Sequence, residues 1–279
     1  MSRVYNSVAK SLSTYHTDAI SSVVVGYSGG LDSHVLLIAA QRWCRERGAN
    51  IRAVYIDHGL QADSEDWARH CRGICETIGI TFESVSVKVE SGHGKSPEEA
   101  ARNARYTVLG QHMQRGDLLL TAHHAHDQAE TLLLQLLRGA GVQGLASMPE
   151  CKPFATGRQL RPLLNLTRTE LELAATAMQL HWVEDSSNRD NRYDRNYLRQ
   201  QILPLLSSRW PAAVEGLGRS AAHAAQAAAL LHELAAEDIA LQSDTLDIAI
   251  LQALPAARLM NALRAWICLL YTSPSPRDS

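Results

Sequence analysis

The run Ser28-Gly29-Gly30-Leu31-Asp32-Ser33 follows the apolar stretch Val23-Val24-Val25 and precedes the helical pattern Val35-Leu36-Leu37. This order predicts a strand, a glycine turn and the start of a helix. Adjacent glycines permit positive φ and close backbone approach, and the helix directs free N–H groups and the positive end of its dipole at the turn. We therefore expect phosphate or pyrophosphate there, with a ligand-free capped turn as the alternative.

Apolar β-branched runs alternate with helical patterns through the first two-thirds of the chain, which predicts βαβ units on a parallel sheet. The expected fold class is α/β: a doubly wound, Rossmann-like parallel sheet followed by a smaller, truncated, all-helical module. The predicted strands are Val23–Gly26, Arg52–Ile56, Thr81–Val87, Leu118–Ala122 and one near Arg161–Leu166. The predicted helices are Ser33–Arg47, Ser64–Ile78, Pro97–Gln114, Asp127–Arg138, Leu171–Leu180 and Asn196–Ser207.

The composition changes along the chain and predicts its domains. Residues 1–210 are expected to form a catalytic nucleotide-binding domain, and the alanine-rich pattern Ala212–Leu241 begins an incomplete helical domain over 211–268. The Ser/Pro-rich residues 269–279 read as a non-native or disordered tail. Within the first of these domains, Gly139–Leu160 is rich in Gly and Pro and is expected to be irregular and to lead into the strand near Arg161–Leu166. Capping boxes are predicted at Ser96–Glu99 and Thr167–Glu170.

Composition excludes several classes of function. The chain has 279 residues, 46% of them hydrophobic, and a net charge of −2, so any nucleic-acid site must be local. No signal peptide or long apolar run is present, which predicts a cytoplasmic protein with no membrane partner. The five cysteines include no C-x-x-C pair, so the sequence indicates neither a disulfide framework nor a zinc ribbon.

Polar clusters follow the predicted strands, where ligands bind in open parallel sheets. Asp32 is a carboxylate beside an expected phosphate, which predicts Mg²⁺ or a cationic substrate group, with dipole compensation as the alternative. Asp57-His58-Gly59 offers backbone groups to a nucleoside, or is a simple turn. The run Thr121–Thr131 contains Asp127 and Glu130 on one helical turn, a pair that suits an ammonium group or a metal; helix capping explains it structurally.

Basic residues form a further cluster. Arg102 and Arg105 lie on one predicted helix, and residues 188–199 contain four arginines, two aspartates and two tyrosines. Arginine planes and tyrosines suit phosphate contacts and base stacking in unpaired RNA. A solvated charged face is the alternative for this segment.

These motifs together resemble a known family. Ser28–Ser33 is similar to the signature of the ATP-pyrophosphatase (PP-loop) superfamily, which has the adenine nucleotide alpha hydrolase type of fold. Within it, residues 57–60, 101–106, 123–131 and 188–199 resemble the tRNA(Ile)-lysidine synthetases, over about residues 20–210. The resemblance implies ATP with Mg²⁺, free L-lysine and the isoleucine tRNA with a CAU anticodon, whose wobble cytidine becomes lysidine; a homodimer is a further expectation.

The resemblance also implies site residues. ATP would contact Ser28, Gly29, Gly30, Leu31, Asp32, Ser33, Asp57 and His58. The catalytic residues would be Asp32, Arg102, His123 and Arg195, lysine would contact Asp127 and Glu130, and the tRNA would contact Arg192, Arg195 and Arg199. Asp32 would also serve Mg²⁺. One departure weakens any metal role: His126 occupies the first aspartate position of the family pattern H-x-x-D-D-Q-x-E-T.

Other functions remain open at this stage. A tRNA thiolase of the same superfamily would need reactive cysteines, and we expect the cysteines here to lie away from the matched motifs. An amidotransferase-type synthetase would need an ammonia-supplying domain. A nucleotide-binding regulatory module without catalysis would need neither the acidic pair nor the Arg/Tyr segment.

Overall fold

The computed structural model describes residues 2–15, 22–57, 64–87, 97–183, 190, 192–239, 241 and 245–272. In the first part of the chain, the elements are α1 Ser2–Tyr15, β1 Val23–Gly26, α2 Leu31–Arg47, β2 Ile51–Asp57, α3 Ser64–Thr77, β3 Thr81–Ser86, α4 Pro97–Gln111, β4 Leu118–Leu120 and α5 Ala125–Leu137. The later elements are α6 Val142–Leu145, β5 Cys151–Phe154, β6 Gly157–Leu160, α7 Arg168–Ala177, α8 Asp194–Tyr197, a π-helical turn Leu198–Ile202, α9 Leu203–Arg209, α10 Ala213–Asp238, α11 Ile248–Ala253 and α12 Ala256–Thr272.

The strands form one six-stranded sheet in the order β3-β2-β1-β4-β6-β5. All neighbouring strands are parallel except β5 and β6, which form an antiparallel hairpin at the edge. Strand order reverses between β1 and β4, so the loops that follow these strands leave the sheet at a switch point. The expected α/β fold with a doubly wound, mostly parallel sheet is confirmed.

Alternation along β1 explains why helices cover both faces of the sheet. Val23 and Val25 belong to the larger core with Trp43 of α2, whereas Val24 belongs to a second core with Leu109 of α4. All three valines are fully buried. A strand buried on both faces reads as a continuous apolar run, and that run aims the glycine turn at the carboxyl edge of the sheet.

The chain divides into two compact units. Unit 1 comprises residues 1–134 and 148–218 and contains the sheet. Unit 2 comprises residues 135–147 and 219–279 and is helical in its described part; within it, Arg258 Nε donates to Asp238 Oδ2 at 2.9 Å. None of the helices in the described ranges combines the length and apolarity needed to cross a bilayer.

The structure corrects several predicted elements. No strand spans Arg161–Leu166: β6 ends at Leu160, and residues 162–165 form turns. The stretch Gly139–Leu160 is not irregular throughout, because it contains α6 and the β5–β6 hairpin. Helix α1 has no counterpart in the prediction; it buries Val4, Val8 and Leu12 on one face. Helix α12 continues to Thr272, and residues 273–279 lie outside the described part.

Of the two predicted capping boxes, the structure confirms the one at Thr167, whose hydroxyl accepts from the Glu170 backbone while the Glu170 carboxylate accepts from the Thr167 backbone. The box at Ser96–Glu99 falls on a residue and side chains outside the described part.

Candidate active site at the switch point of the sheet

The glycine loop, residues 27–30, is organised by one hydroxyl group. Ser33 Oγ donates to the Gly30 carbonyl oxygen at 3.0 Å and accepts from the Ser28 backbone N–H at 3.2 Å. The Ser28 and Ser33 hydroxyls lie 3.1 Å apart. Gly30 is the N-cap of α2 and provides no side-chain cap. The first N–H groups of α2 therefore point at the loop without a side-chain acceptor, as an anion-binding turn requires.

Gly29 has a positive φ of 79°, and the space beside it is filled. A Cβ atom at this position would lie 2.6 Å from Cys71 Sγ on α3. The expectation that the cysteines lie away from the matched motifs is therefore wrong for Cys71. Its side chain is fully buried, and this burial raises the pKa of the thiol to about 12, so Cys71 packs against the loop as an unreactive group.

Asp32, in the first turn of α2, is contacted by Arg168 at the start of α7 and by His124, which precedes α5. Arg168 Nη1 donates to both carboxylate oxygens, at 2.8 and 2.7 Å, and His124 Nε2 lies 3.7 Å from Oδ2. Burial raises the pKa of Asp32, although the charges of His124 and Arg168 act in the opposite direction. The cost of burying the charged carboxylate is therefore larger than the stabilisation it receives from His124 and Arg168.

Asp127 and Glu130, in the first turns of α5, share a single arginine. Arg199 Nε donates to Glu130 Oε1 at 2.7 Å, and its Nη2 donates to Asp127 Oδ1 at 2.9 Å and Glu130 Oε2 at 3.0 Å. Asp127 Oδ2 also accepts from the His124 backbone N–H at 2.9 Å. Asp127 thus pairs with an arginine from another segment and also accepts from the backbone at the start of α5, as a capping residue does.

The two carboxylates differ in their electrostatics. Burial raises the pKa of Glu130, whose side chain is 0% exposed, and Arg199 offsets only part of this rise. For Asp127, the charges of His124, His123 and Arg199 outweigh burial and lower the pKa to about 2. Arg199 lies in the π-helical turn, a feature that often accompanies functional sites.

His123 follows β4 and begins a hydrogen-bonded chain across the end of the sheet. Its Nδ1 lies 3.0 Å from Thr121 Oγ1, which accepts from Gln159 Nε2 at 2.9 Å. Gln159 Nε2 also donates to the Tyr106 hydroxyl at 3.1 Å. Burial lowers the pKa of His123 well below its usual value, so the imidazole is neutral at pH 7 and acts as a hydrogen-bonding group.

The structure brings most of the predicted site residues to this edge. Arg195 Nη2 donates to Thr131 Oγ1 at 3.1 Å, so the Arg195 side chain contacts α5, as that of Arg199 does. The Arg102 guanidinium carbon lies 5.2 Å from the centre of the Tyr106 ring. Asp57 ends β2, two positions from β4 in the sheet, whereas His58 lies outside the described residues. Arg192 is exposed and bound to Asp190, with Nη2 to Oδ2 at 2.7 Å.

Sequence reasoning missed Arg168 and assigned no role to His124. His124 lies between the two acidic positions, with Nε2 3.7 Å from Asp32 and 3.6 Å from Asp127. Arg168 is 136 residues from Asp32 in the chain, and the sequence pattern indicated only that Arg168 begins a capped helix. Within the described ranges, no three His, Cys, Asp or Glu side chains form a group that could hold a metal ion.

Comparisons with known proteins agree with this geometry. The family described as "PP-loop domain" matches residues 4–206. The chain is 47% identical over 265 residues to the tRNA(Ile)-lysidine synthase of Pseudomonas syringae, covering 91% of this chain and 59% of the relative. It is 46% identical over 251 residues to the tRNA(Ile)-lysidine synthase of Coxiella burnetii, covering 89% of this chain and 56% of the relative. The chain thus spans somewhat under three-fifths of the length of these relatives.

Among solved structures, the U34-tRNA thiolase NcsA from Methanococcus maripaludis, with its [4Fe-4S] cluster, has a similar fold. The TM-score is 0.64 at 17% identity, over 79% of this chain and 76% of that one. The family match covers the sheet, the glycine loop and both acidic positions around His124. The chain belongs to the PP-loop domain family.

Proposed function

We propose that this chain carries the catalytic part of a tRNA(Ile)-lysidine synthase: a ligase that joins L-lysine to the wobble cytidine of the isoleucine tRNA with a CAU anticodon, consuming ATP. One observation carries the proposal. An anion-binding glycine loop and an acidic pair lie on either side of His124, at the switch point of the sheet. The names of the relatives supply the substrate class, and the site supplies groups for each substrate.

The first step proposed is adenylation of the base. Residues 28–33, which comprise the end of the glycine loop and the start of α2, would bind the β- and γ-phosphates through their N–H groups and hydroxyls. Asp57 and His58 would lie beside the nucleoside. The carbonyl oxygen of the cytosine attacks the α-phosphorus, the bond to the β-phosphate bridging oxygen breaks, and pyrophosphate leaves. Arg102 and Arg195 would stabilise the charge that develops on the phosphoryl oxygens.

The second step proposed is attack by lysine. The ε-amine, deprotonated at the moment of attack, forms a bond to carbon 2 of the ring, and the carbon–oxygen bond to AMP breaks. His123 would contact a phosphate oxygen or accept a hydrogen bond from the amine; burial lowers its pKa well below the usual value, so it is a weak base. Asp127 and Glu130 would recognise the cationic groups of lysine before the reaction. Arg199 now occupies these carboxylates, so we propose that lysine binding shares or displaces this arginine.

Asp32 would also hold Mg²⁺, which binds proteins through one or two carboxylates and completes its shell with phosphate oxygens and water. Because Arg168 donates to both oxygens of Asp32, the ion would share the carboxylate with this arginine. Asp32 is the carboxylate nearest the loop, and its partners offset its desolvation only in part. When bound, the ion would neutralise charge on the triphosphate. Arg168 positions the carboxylate, with Nη1 2.7 Å from Oδ2.

The remaining assignments concern organisation and partners. We propose residues 1–210 as the catalytic domain and 211–268 as part of a tRNA-binding helical domain. Arg192, Arg195 and Arg199 would contact the tRNA, since they lie on one short segment whose Arg195 and Arg199 contact α5 and whose Arg192 is exposed. We propose a cytoplasmic location, because ATP and tRNA are both available there.

The test uses the purified chain with ATP, Mg²⁺ and the isoleucine tRNA carrying a CAU anticodon, with and without lysine. We expect pyrophosphate and AMP release that depends on this tRNA, and incorporation of labelled lysine into it. ATP binding without any tRNA-dependent pyrophosphate release would refute the proposal and favour a non-catalytic nucleotide-binding module. Sulfur transfer to the tRNA, the thiolase alternative, is disfavoured because Cys71 beside the loop is buried and protonated.

A further inference from the structure

Arg161 is a buried arginine without an acidic partner. It directly follows β6 and is only 3% exposed. Its Nη1 donates to the Pro149 carbonyl oxygen at 2.7 Å and its Nη2 to Gln159 Oε1 at 3.1 Å, both of which are neutral acceptors. Its Nε is buried and has no hydrogen-bond partner, and no carboxylate of the described residues forms an ion pair with it. Buried charges are normally paired, so this guanidinium lacks an anion.

The surroundings of Arg161 are also positive. Arg105 and Lys152 lie around the Tyr106 ring, with the guanidinium carbon 5.3 Å and Nζ 5.8 Å from its centre. Arg105 Nε is buried and, like Arg161 Nε, without a hydrogen-bond partner in the described part of the chain. The charges of Arg161 and Arg105 both act on the Tyr106 hydroxyl. The Arg102 guanidinium carbon also lies 5.2 Å from the centre of this ring. Helix α4, strand β5 and the end of β6 thus bring four cations together, because Arg102 joins Arg105, Lys152 and Arg161.

We propose that Arg161, Arg105 and Lys152 form an anion site around Tyr106 that binds a phosphodiester group of the RNA substrate. This inference rests on the proposed function for the identity of the RNA. The site is separate from the glycine loop, because β6 lies two strands from β1 and neighbouring strands are about 4.8 Å apart, which puts their ends roughly 10 Å from each other. Planar guanidinium groups suit a phosphodiester, whose two free oxygens accept bidentate hydrogen bonds.

The site would bind the phosphodiester and would also position the base of the same substrate RNA. His123 connects to Tyr106 through Thr121 and Gln159, and Gln159 accepts from Arg161. A phosphodiester on Arg161 would therefore lie at the end of a hydrogen-bonded chain that leads to the proposed reaction centre. In this position it fixes the nucleotide relative to the α-phosphate of ATP.

The experiment measures tRNA affinity of the full chain against salt concentration. Removing one phosphate contact lowers the slope of log K against log salt by about 0.7 for single-stranded RNA. We expect this reduction for Arg161→Met and for Lys152→Met, with about a tenfold loss of affinity at low salt. Arg158→Met is the matched control: this exposed arginine lies on the same hairpin, and its slope should equal that of the unaltered chain.

Lys152→Met keeps the proposal testable if Arg161→Met fails to fold, because Lys152 joins the hairpin through its backbone, which the substitution keeps, and its side chain makes no hydrogen bond within the described residues. An unchanged slope in Lys152→Met, or an equal fall in Arg158→Met, would overturn the site. Reduced ATP affinity with unchanged tRNA affinity would assign the cations to ATP phosphates and would also overturn it. Lower slopes in a chain that forms no lysidine would refute the proposed reaction and leave the site intact, whereas no tRNA binding at all would overturn both.

Discussion

Replacing Gly29 by alanine tests the close packing of the glycine loop. Two effects lower the free energy of unfolding of this variant. A non-glycine residue with left-handed φ costs about 1–2 kcal/mol, and Gly29 has φ of 79°. The new Cβ would also lie 2.6 Å from Cys71 Sγ, an overlap that must be relieved by movement of the loop or of α3. Overpacking of this kind costs about 1–3 kcal/mol.

Gly48→Ala provides the matched control, because Gly48 has a similar φ of 66° and nothing within 4 Å of its Cβ position. Gly48→Ala should lose only the about 1–2 kcal/mol of stability that the left-handed backbone conformation costs a non-glycine residue. Gly29→Ala should lose about 2–5 kcal/mol in all. The double variant Gly29→Ala/Cys71→Ala removes the overlap and should recover about 1–3 kcal/mol relative to the sum of the single changes.

Urea unfolding followed by circular dichroism measures the stability differences, and calorimetric titration measures ATP affinity. If the loop shifts to relieve the overlap, its N–H groups no longer converge, and ATP affinity should fall about tenfold or more in Gly29→Ala alone. Equal losses of stability in Gly29→Ala and Gly48→Ala, together with unchanged ATP affinity, would refute this account of the loop.

Three further predictions follow from the site. Asp127→Asn should raise the lysine KM by about tenfold or more without changing ATP affinity, measured by lysine-dependent AMP formation with the exposed Glu76→Gln as control; an unchanged KM would remove Asp127 from lysine recognition. Arg199→Met should destabilise the chain by about 3 kcal/mol because it leaves Glu130 buried and unpaired, and Arg199→Met/Glu130→Leu should recover most of this loss in urea unfolding; no recovery would contradict the pairing. Arg168→Met removes a charge that opposes the burial-raised pKa of Asp32, so that pKa should rise further and the acidic limb of the kcat/KM profile should move to higher pH; the same profile in Arg168→Met and the exposed Arg45→Met control would exclude this role.

Local patterns predicted strands β1 to β4 because β1 and β4 are continuous apolar runs, β2 and β3 are rich in β-branched and aromatic residues, and glycines follow the intervening helices. The acidic pair of α5 followed from residue spacing, whereas the order of the strands, and with it the switch point between β1 and β4, came from the structure. Helix α1 was missed because its buried face consists of widely spaced apolar residues in a polar stretch. Strand β5 was missed because Pro153 argues against a strand, although an edge strand accepts it.

The contacts that were missed are those between distant segments of the chain. Cys71 meets Gly29 from α3, and Arg168 meets Asp32 from α7. Neither residue carries a local signal for its partner, since a buried cysteine on a helix and an arginine in a first helical turn occur for many reasons. Arg199 was predicted to contact tRNA from the charge of its segment, and its bonds to Asp127 and Glu130 depend on how that segment packs on α5.

Transfer of an isotopic label tests the central claim that the site adenylates the cytosine carbonyl oxygen. The isoleucine tRNA with a CAU anticodon would carry oxygen-18 at carbon 2 of the wobble cytosine and react with ATP and lysine, and the AMP released would be analysed by mass spectrometry. The proposed reaction predicts that AMP carries the label in its phosphate group. Lysidine formation with unlabelled AMP, or release of ADP and phosphate instead of AMP and pyrophosphate, would contradict it.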